Sequence, residues 1–175
     1  ISWVKNNSQY TRGKRSSNNK EYILHFVKTP NGGFYYDTTW LNNPDNLPEE
    51  YRSFVEMYST VGYDENTKFQ SVWLPDMGVL RSNVCSHNEL RKECENRGIP
   101  MTHSAMFPEI LPLMGIMTTS RPGDLVLDVF NGTGTTGVVS NKLGRRYVGY
   151  DLNDHYIILS SVRKEISLPN YRMAG

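Results

Sequence analysis

The run Gly132-Thr133-Gly134-Thr135-Thr136-Gly137 lies between a short apolar stretch and a stretch with helical patterning, and that placement constrains the fold more than any other feature. The apolar stretch, Leu125-Val126-Leu127-Asp128-Val129-Phe130, is broken only by Asp128, as a strand inside a parallel sheet would be. Glycines allow a tight turn and let a ligand approach the backbone closely. The helix they open, running to about Leu143, offers N–H groups that no helical carbonyl takes up. Tyr147-Val148-Gly149-Tyr150-Asp151 predicts another strand, and residues 153–166 a closing helix. Strand, loop, helix, strand, helix is the half-unit of a doubly wound α/β sheet.

Such a loop can be no more than the turn that packs a helix on a strand. Asp151 argues for more. It ends the next strand, nineteen residues after Gly132, where a carboxylate accepts the two hydroxyls of a ribose. The charges then narrow the nucleoside ligand. A phosphate-cradling P-loop needs Lys and Ser or Thr where Val138 and Val139 stand, and is excluded. Asp128 would repel the pyrophosphate of a nicotinamide cofactor, which disfavours a dehydrogenase. It suits a ligand carrying an ammonium and a sulfonium charge, as S-adenosylmethionine does.

The rest of the chain reads less regularly. Residues 1–5 and 21–28 predict strands by their β-branched and aromatic content, with a polar, basic loop between them and a turn at Asn31-Gly32-Gly33. Residues 37–80 are punctuated by Pro and Asn and predict one helix, near 48–58. Further helices are expected at 87–96, ending at Gly98, and at 108–119, packing Ile110, Leu111, Met114 and Met117; Pro122-Gly123-Asp124 is a turn. With 175 residues the chain suits one domain, and 11% aromatic residues argue for a folded one with irregular segments.

Two cysteines cannot staple a domain of this size, so a reducing, cytoplasmic setting is expected. No apolar stretch is long enough for a membrane span. The spacing of Cys85, His87, Cys94 and His103 matches no usual zinc pattern, so no metal is expected. Net charge is only +1, but Lys5, Arg12, Lys14, Arg15, Lys20 and Lys28 face only Glu21 in the first 28 residues.

At this point the residues match a family. Asp128-Val129-Phe130-Asn131-Gly132-Thr133-Gly134-Thr135-Thr136-Gly137 resembles the D-P-F-x-G-S-G-T-T loop of the exocyclic-amino DNA methyltransferases. Leu143-Gly144-Arg145-Arg146-Tyr147-Val148-Gly149-Tyr150-Asp151, with Tyr156 beyond, is similar to their next strand and helix. Thr102-His103-Ser104-Ala105-Met106-Phe107-Pro108-Glu109-Ile110-Leu111-Pro112 resembles the H-P-A-x-F-P-x-x-L-P segment that precedes the loop in their β-type motif order. Trp3-Val4-Lys5-Asn6 and Glu21-Tyr22-Ile23-Leu24, with Phe26 and Lys28, look like late strands of the catalytic half.

The resemblance implies a partial Rossmann-like methyltransferase fold with an irregular target-recognition insertion. Residues 1–36 would be late strands of the catalytic half, 37–99 the target-recognition segment and 100–175 the S-adenosylmethionine-binding βαβα unit. It implies that Asp128, Phe130, Gly132, Thr133, Gly134, Thr135 and Thr136 line the methionine end of the cofactor and Asp151 its ribose. The helix after His103 would wall the same pocket, with His103, Ser104 and Phe107 beside it. Val129, Asn131 and Ser104 depart from the family pattern, and none removes a charge the pocket needs.

One departure bears on chemistry. The family's catalytic tetrapeptide, an Asp, Asn or Ser followed by Pro-Pro and an aromatic, is absent; the chain has no Pro-Pro pair. A base amino group is a weak nucleophile, and the tetrapeptide's oxygens accept its N–H bonds while the aromatic stacks on the flipped base. No catalytic residue is therefore assigned. In β-type order the motif belongs before Ile1, so the expectation is a fragment that needs an upstream segment or a companion chain to close its sheet and be stable. The expected function is methylation of cytosine N4 or adenine N6 in double-stranded DNA with one flipped base, in a restriction-modification system. Residues 82–108 lean towards the cytosine-N4 members. The alternative is a non-catalytic cofactor-binding or DNA-recognition subunit. Arg12, Lys14, Arg15 and Lys20 are expected on DNA phosphates.

Overall fold

The structure is a computed structural model that describes residues 2–5, 20–29, 32–41, 49, 51–52, 71–74, 79–82, 88–101 and 106–167. The chain forms two compact units, Ile1–Val84 and Cys85–Gly175. In the first, β1 is Ser2–Lys5, β2 Lys20–Tyr22, β3 Ser71–Leu74 and β4 Val79–Ser82. They make one sheet in the order β2-β1-β4-β3. β1 runs antiparallel to β2 and parallel to β4, and β3 lies antiparallel on the outer side of β4, with Trp73 opposite Leu80. Elsewhere in this unit the Asp37 carboxylate accepts the Thr39 hydroxyl at 2.7 Å, the Thr39 N–H at 2.8 Å and the Tyr35 hydroxyl at 3.0 Å. These bonds, the Thr39 hydroxyl's first, hold its carboxyl below the ordinary range. They open a single 3-10 turn at Thr39–Leu41 that buries Trp40.

The second unit runs α1 (Asn88–Asn96), α2 (Ile110–Thr119), β5 (Leu125–Asp128), α3 (Thr135–Lys142), β6 (Arg146–Gly149) and α4 (Asp154–Ser167). β5 and β6 are parallel, from Leu125 opposite Arg146 to Asp128 opposite Gly149. Side chains alternate along a strand, so Val126 and Tyr147 share one face. α3 covers that face, with Gly137 set against the Tyr147 ring. Leu125 and Leu127 point the other way and are exposed, and among the described residues β5 has β6 as its bonded neighbour.

The core of this unit lies between helices. Leu90 and Cys94 of α1 meet Met106 and Leu159 and Val162 of α4, with Ile99, Met101, Tyr156 and Ile166 packed around them. Leu159 is fully buried, and truncating such a leucine costs about 2–5 kcal/mol. α1 stops where Gly98 turns left-handed at φ +66°, and Ile99 N–H then reaches back to the Cys94 carbonyl at 2.8 Å, as in a Schellman cap. A second anchor is Arg145, buried between α3 and β6. It donates to the Ser120 and Leu143 carbonyls, each at 2.7 Å, and to Ser120 Oγ at 3.3 Å. The end of α2 is thereby tied to the start of β6.

Several elements differ from the sequence expectation. The strand expected over 21–28 ends at Tyr22, and Leu24, Phe26 and Val27 are exposed. β3 and the start of β4 lie in the stretch 37–80, where one helix and no strand was expected; each is four residues long, too short to show alternation. α2 buries Ile110, Leu113, Met114 and Ile116, not Leu111 and Met117. It is apolar on every side, so periodicity could not choose its inner face. Of the helix expected over 48–58, residues 49, 51 and 52 are described and helical. No helix among the described residues is long and apolar enough to cross a membrane.

Candidate functional site

β5 and β6 end side by side, and their bonding continues past the strands. Tyr150 N–H donates to the Asp128 carbonyl at 2.8 Å, and Asn131 N–H to the Tyr150 carbonyl at 2.9 Å. This brings the glycine loop beside the residues that follow β6. There the Asp151 carboxylate accepts Gly132 N–H at 2.8 Å through Oδ2, and Asn153 N–H at 3.0 Å through Oδ1. The acid and the loop, matched by sequence spacing, are bonded to one another. Each carboxylate oxygen keeps a second lone pair, so Asp151 can still accept hydroxyls from a ligand.

The glycines have separate reasons. Gly134 sits at φ +78°, in the left-handed region, and a Cβ there would collide with Ser160 of α4. Gly137 is right-handed but a Cβ would lie 2.6 Å from the Tyr147 ring. As N-cap of α3, Gly134 brings no side-chain oxygen, which leaves the helix N-terminus to a ligand's anionic group. Asp128 is half-buried and its Oδ1 accepts Phe130 N–H at 3.0 Å, which fixes the carboxylate at the mouth of the loop. Phe130, after β5, is 84% exposed, and Tyr150 and Leu152, after β6, are exposed as well.

Asn131, a departure from the family pattern, is the keystone of the loop. Its Oδ1 accepts the Tyr147 hydroxyl at 2.7 Å, and its Nδ2 donates to the Gly132 carbonyl at 3.2 Å. Its carbonyl accepts Gly134 N–H at 2.9 Å. Burial, and then the nearby Asp128 carboxylate, push the Tyr147 hydroxyl far above its ordinary pKa. It stays a neutral donor.

Below the loop lies a charged group that sequence reasoning missed. Arg163 of α4 is 3% exposed; its Nη1 donates to Thr135 Oγ1 at 2.8 Å and Thr133 Oγ1 at 3.3 Å, and its Nη2 to Glu109 Oε1 at 3.4 Å. Glu109, just ahead of α2, also meets Lys142 Nζ at 3.5 Å through Oε2. The signal was present in the sequence: Leu159, Val162 and Arg163 stand at i, i+3 and i+4, which puts a charge on the buried stripe of α4.

Of the expected site residues, Asp128, Phe130, Gly132, Thr133, Gly134, Thr135, Thr136 and Asp151 come together at the ends of β5 and β6. Thr133 and Thr135 are buried and present their hydroxyls to Arg163, while Thr136 is half-buried. Phe107 is half-buried beside Met106, which is in the core. His103 and Ser104 lie outside the described residues, as do Arg12, Lys14 and Arg15; Lys20 opens β2 and is exposed. Cys94 is buried, and burial pushes its thiol pKa up, which suits a packing role. Among the described residues no cluster of His, Cys, Asp or Glu could hold a metal.

Comparison with known proteins identifies the family. A family model for N6/N4 methyltransferases, described as DNA methylase, matches residues 1–161. The type II methyltransferase M1.MboII of Moraxella bovis is 32% identical over 160 residues, covering 90% of this chain and 58% of that protein. M.HinfI of Haemophilus influenzae is 34% identical over 118 residues, 67% of this chain and 30% of its own length. The chain thus spans little more than half of one relative and less than a third of the other. Among solved structures, TTHA0409 of Thermus thermophilus in complex with S-adenosyl-L-methionine has a TM-score of 0.54 at 24% identity, covering 98% of this chain and 54% of that one. At that identity the likeness speaks for the fold.

Proposed function

The chain belongs to the N6/N4 DNA methylase family, and from that membership we propose that it carries the S-adenosylmethionine site of an enzyme that methylates an exocyclic amino group of a base in double-stranded DNA. The observation that carries the reading is the bond between Asp151 and Gly132. It sets a hydroxyl acceptor and a glycine-lined helix N-terminus side by side, with the Asp128 carboxylate at the mouth of the loop.

The residues fit the cofactor by the chemistry of their donors and acceptors. Asp151 takes the ribose hydroxyls, and exposed Leu152, next in the chain, offers an apolar seat for the base attached to that ribose. Asp128 attracts the ammonium and sulfonium charges, Phe130 shields the methionine end, and the start of α3 takes the carboxylate. When bound, the cofactor supplies an electrophilic methyl group on sulfur. The protein's task is to hold that group still, keep water from it and meet it with a base amino nitrogen. His103, Ser104 and Phe107 would form the facing wall, residues 37–99 the reader of the target sequence, and Arg12, Lys14, Arg15 and Lys20 a phosphate contact. The setting is a type II restriction-modification system, with the lean towards cytosine N4.

The test is twofold. Calorimetry should detect S-adenosylmethionine and its demethylated product, and not NAD; binding of NAD alone would overturn the cofactor. Incubation of this chain, joined to a segment that carries the catalytic tetrapeptide, with labelled S-adenosylmethionine and double-stranded DNA, followed by nucleoside analysis, should return N4-methylcytosine or N6-methyladenine. A second reading is a cofactor-binding subunit that takes the catalytic tetrapeptide from a separate polypeptide. In that case the cofactor binds normally, and methyl transfer appears only when a polypeptide bearing the tetrapeptide is added.

A further inference from the structure

Arg163 is charged and almost wholly buried, a combination that is costly unless its donors are matched. Three of its partners are unusual in their placement. Thr133 and Thr135 flank Gly134, the left-handed residue on which the loop turns, and one guanidinium nitrogen serves both hydroxyls. Another reaches Glu109, at the head of α2 and close in sequence to the segment expected to wall the same pocket. Arg163 therefore grips the loop on both sides of its pivot from beneath, and ties it to the neighbouring helix.

We propose that Arg163 is a positioning residue for cofactor binding: it holds Thr133–Thr135 in the ligand-competent conformation and couples that loop, through Glu109, to α2. This rests on the reading that the loop binds S-adenosylmethionine. A loop ordered in advance spends none of its binding free energy on ordering, whereas a loop freed from the arginine must be ordered by the ligand. Affinity falls although no atom removed touches the cofactor. The planar fork is the essential part. Lysine keeps the charge but has a single donor nitrogen on a flexible stem, and cannot hold the two hydroxyls with one nitrogen and Glu109 with another in fixed geometry.

The rival explanation is that Arg163 only stabilises the packing of α4. Arg145 provides the control, because it is also buried and bonded, to Ser120 and Leu143, away from the loop. In the full chain, calorimetry with S-adenosylmethionine and thermal melting are compared for Arg163→Met, Arg163→Lys, Thr135→Val, the Arg163→Lys/Thr135→Val pair and Arg145→Met. Both Arg163 variants are expected to weaken cofactor binding by about tenfold or more. The Arg163→Lys and Thr135→Val effects are expected to be non-additive, as for residues acting on one another. Arg145→Met lowers the melting temperature and leaves the affinity in place. If Arg163→Met does not fold, Arg163→Lys and its pair with Thr135→Val decide. Wild-type binding with unchanged affinity in the Arg163 variants, or strict additivity with Thr135→Val, overturns the positioning role alone. A wild-type chain that does not bind S-adenosylmethionine overturns the cofactor reading, and this inference with it.

Discussion

The Tyr147 hydroxyl donates to Asn131 Oδ1 at 2.7 Å, and the pair fits only because residue 149 has no side chain. A Cβ on Gly149 would stand 2.5 Å from Asn131 Oδ1 and 2.7 Å from the Tyr147 hydroxyl. Loop and strand are thus closed against each other by three residues from two segments. Tyr147→Phe removes the donor and leaves a buried oxygen without it, an expected loss of about 1–3 kcal/mol. Urea unfolding of the variant measures this, and an unchanged midpoint would show that the bond contributes nothing.

The same tyrosine predicts a dependence on pH. Its folded-state pKa is raised above the ordinary 10.0, chiefly by burial. Below about pH 10 both folded and unfolded chains keep the proton, and its contribution to stability is constant. Above that value the unfolded chain releases the proton while the folded one retains it, so stability falls as pH rises further. The stability gap between wild type and Tyr147→Phe should therefore hold up to about pH 10 and narrow from there to about pH 12. Parallel curves over that range would count against it.

Gly134→Ala faces two obstacles, its left-handed backbone and Ser160. The first costs about 1–2 kcal/mol for a residue with a Cβ. The second depends on the neighbour, since the nearest atoms are the Ser160 Oγ and Cβ. Adding Ser160→Gly to Gly134→Ala should recover the collision but not the backbone strain. Denaturation of the two single variants and the double variant separates the two parts; no recovery at all would mean that the backbone carries the whole effect.

Asp151→Ala takes away the acceptor of two backbone N–H groups as well as the proposed ribose ligand. Cofactor affinity should fall about tenfold or more, equivalent to about 1–3 kcal/mol. Asp151→Asn keeps one carbonyl oxygen and should fall between the two. Calorimetry that finds all three chains equal would remove Asp151 from the site.

For the basic loop, salt dependence is the readout. Replacing Arg12, Lys14, Arg15 and Lys20 together should reduce the slope of log affinity for DNA against log salt, by up to about 0.9 for each phosphate that is no longer neutralised. An identical slope would return these residues to a solvated surface.

The βαβα half was legible in the sequence because its signals are local. The strand before Gly132, the helix after it and the acid at 151 each follow from a few adjacent residues, and β5, α3, β6 and α4 lie within a few residues of their expected places. What escaped was non-local. The ion pair of Glu109 with Arg163 joins residues 54 positions apart, and the Tyr147–Asn131 bond depends on how β6 is aligned with β5. β3 and β4 are too short to alternate visibly, and become strands by pairing with each other and with β1. For α2 the fault was the reverse. Residues 110–117 are apolar side chains and one glycine, so the pattern was abundant and carried no direction.

The tie from Arg163 to Glu109 also decides where this chain can be cut and rejoined. An engineer exchanging cofactor modules between related enzymes would naturally open the chain in the exposed turn at Arg121–Asp124, just ahead of β5. A module grafted there takes Arg163 and Lys142 with it and leaves Glu109 behind. Its guanidinium then enters the interior of the new host without its carboxylate. The seam that keeps the three charges together lies upstream of Glu109, so the natural unit of exchange includes the whole of α2.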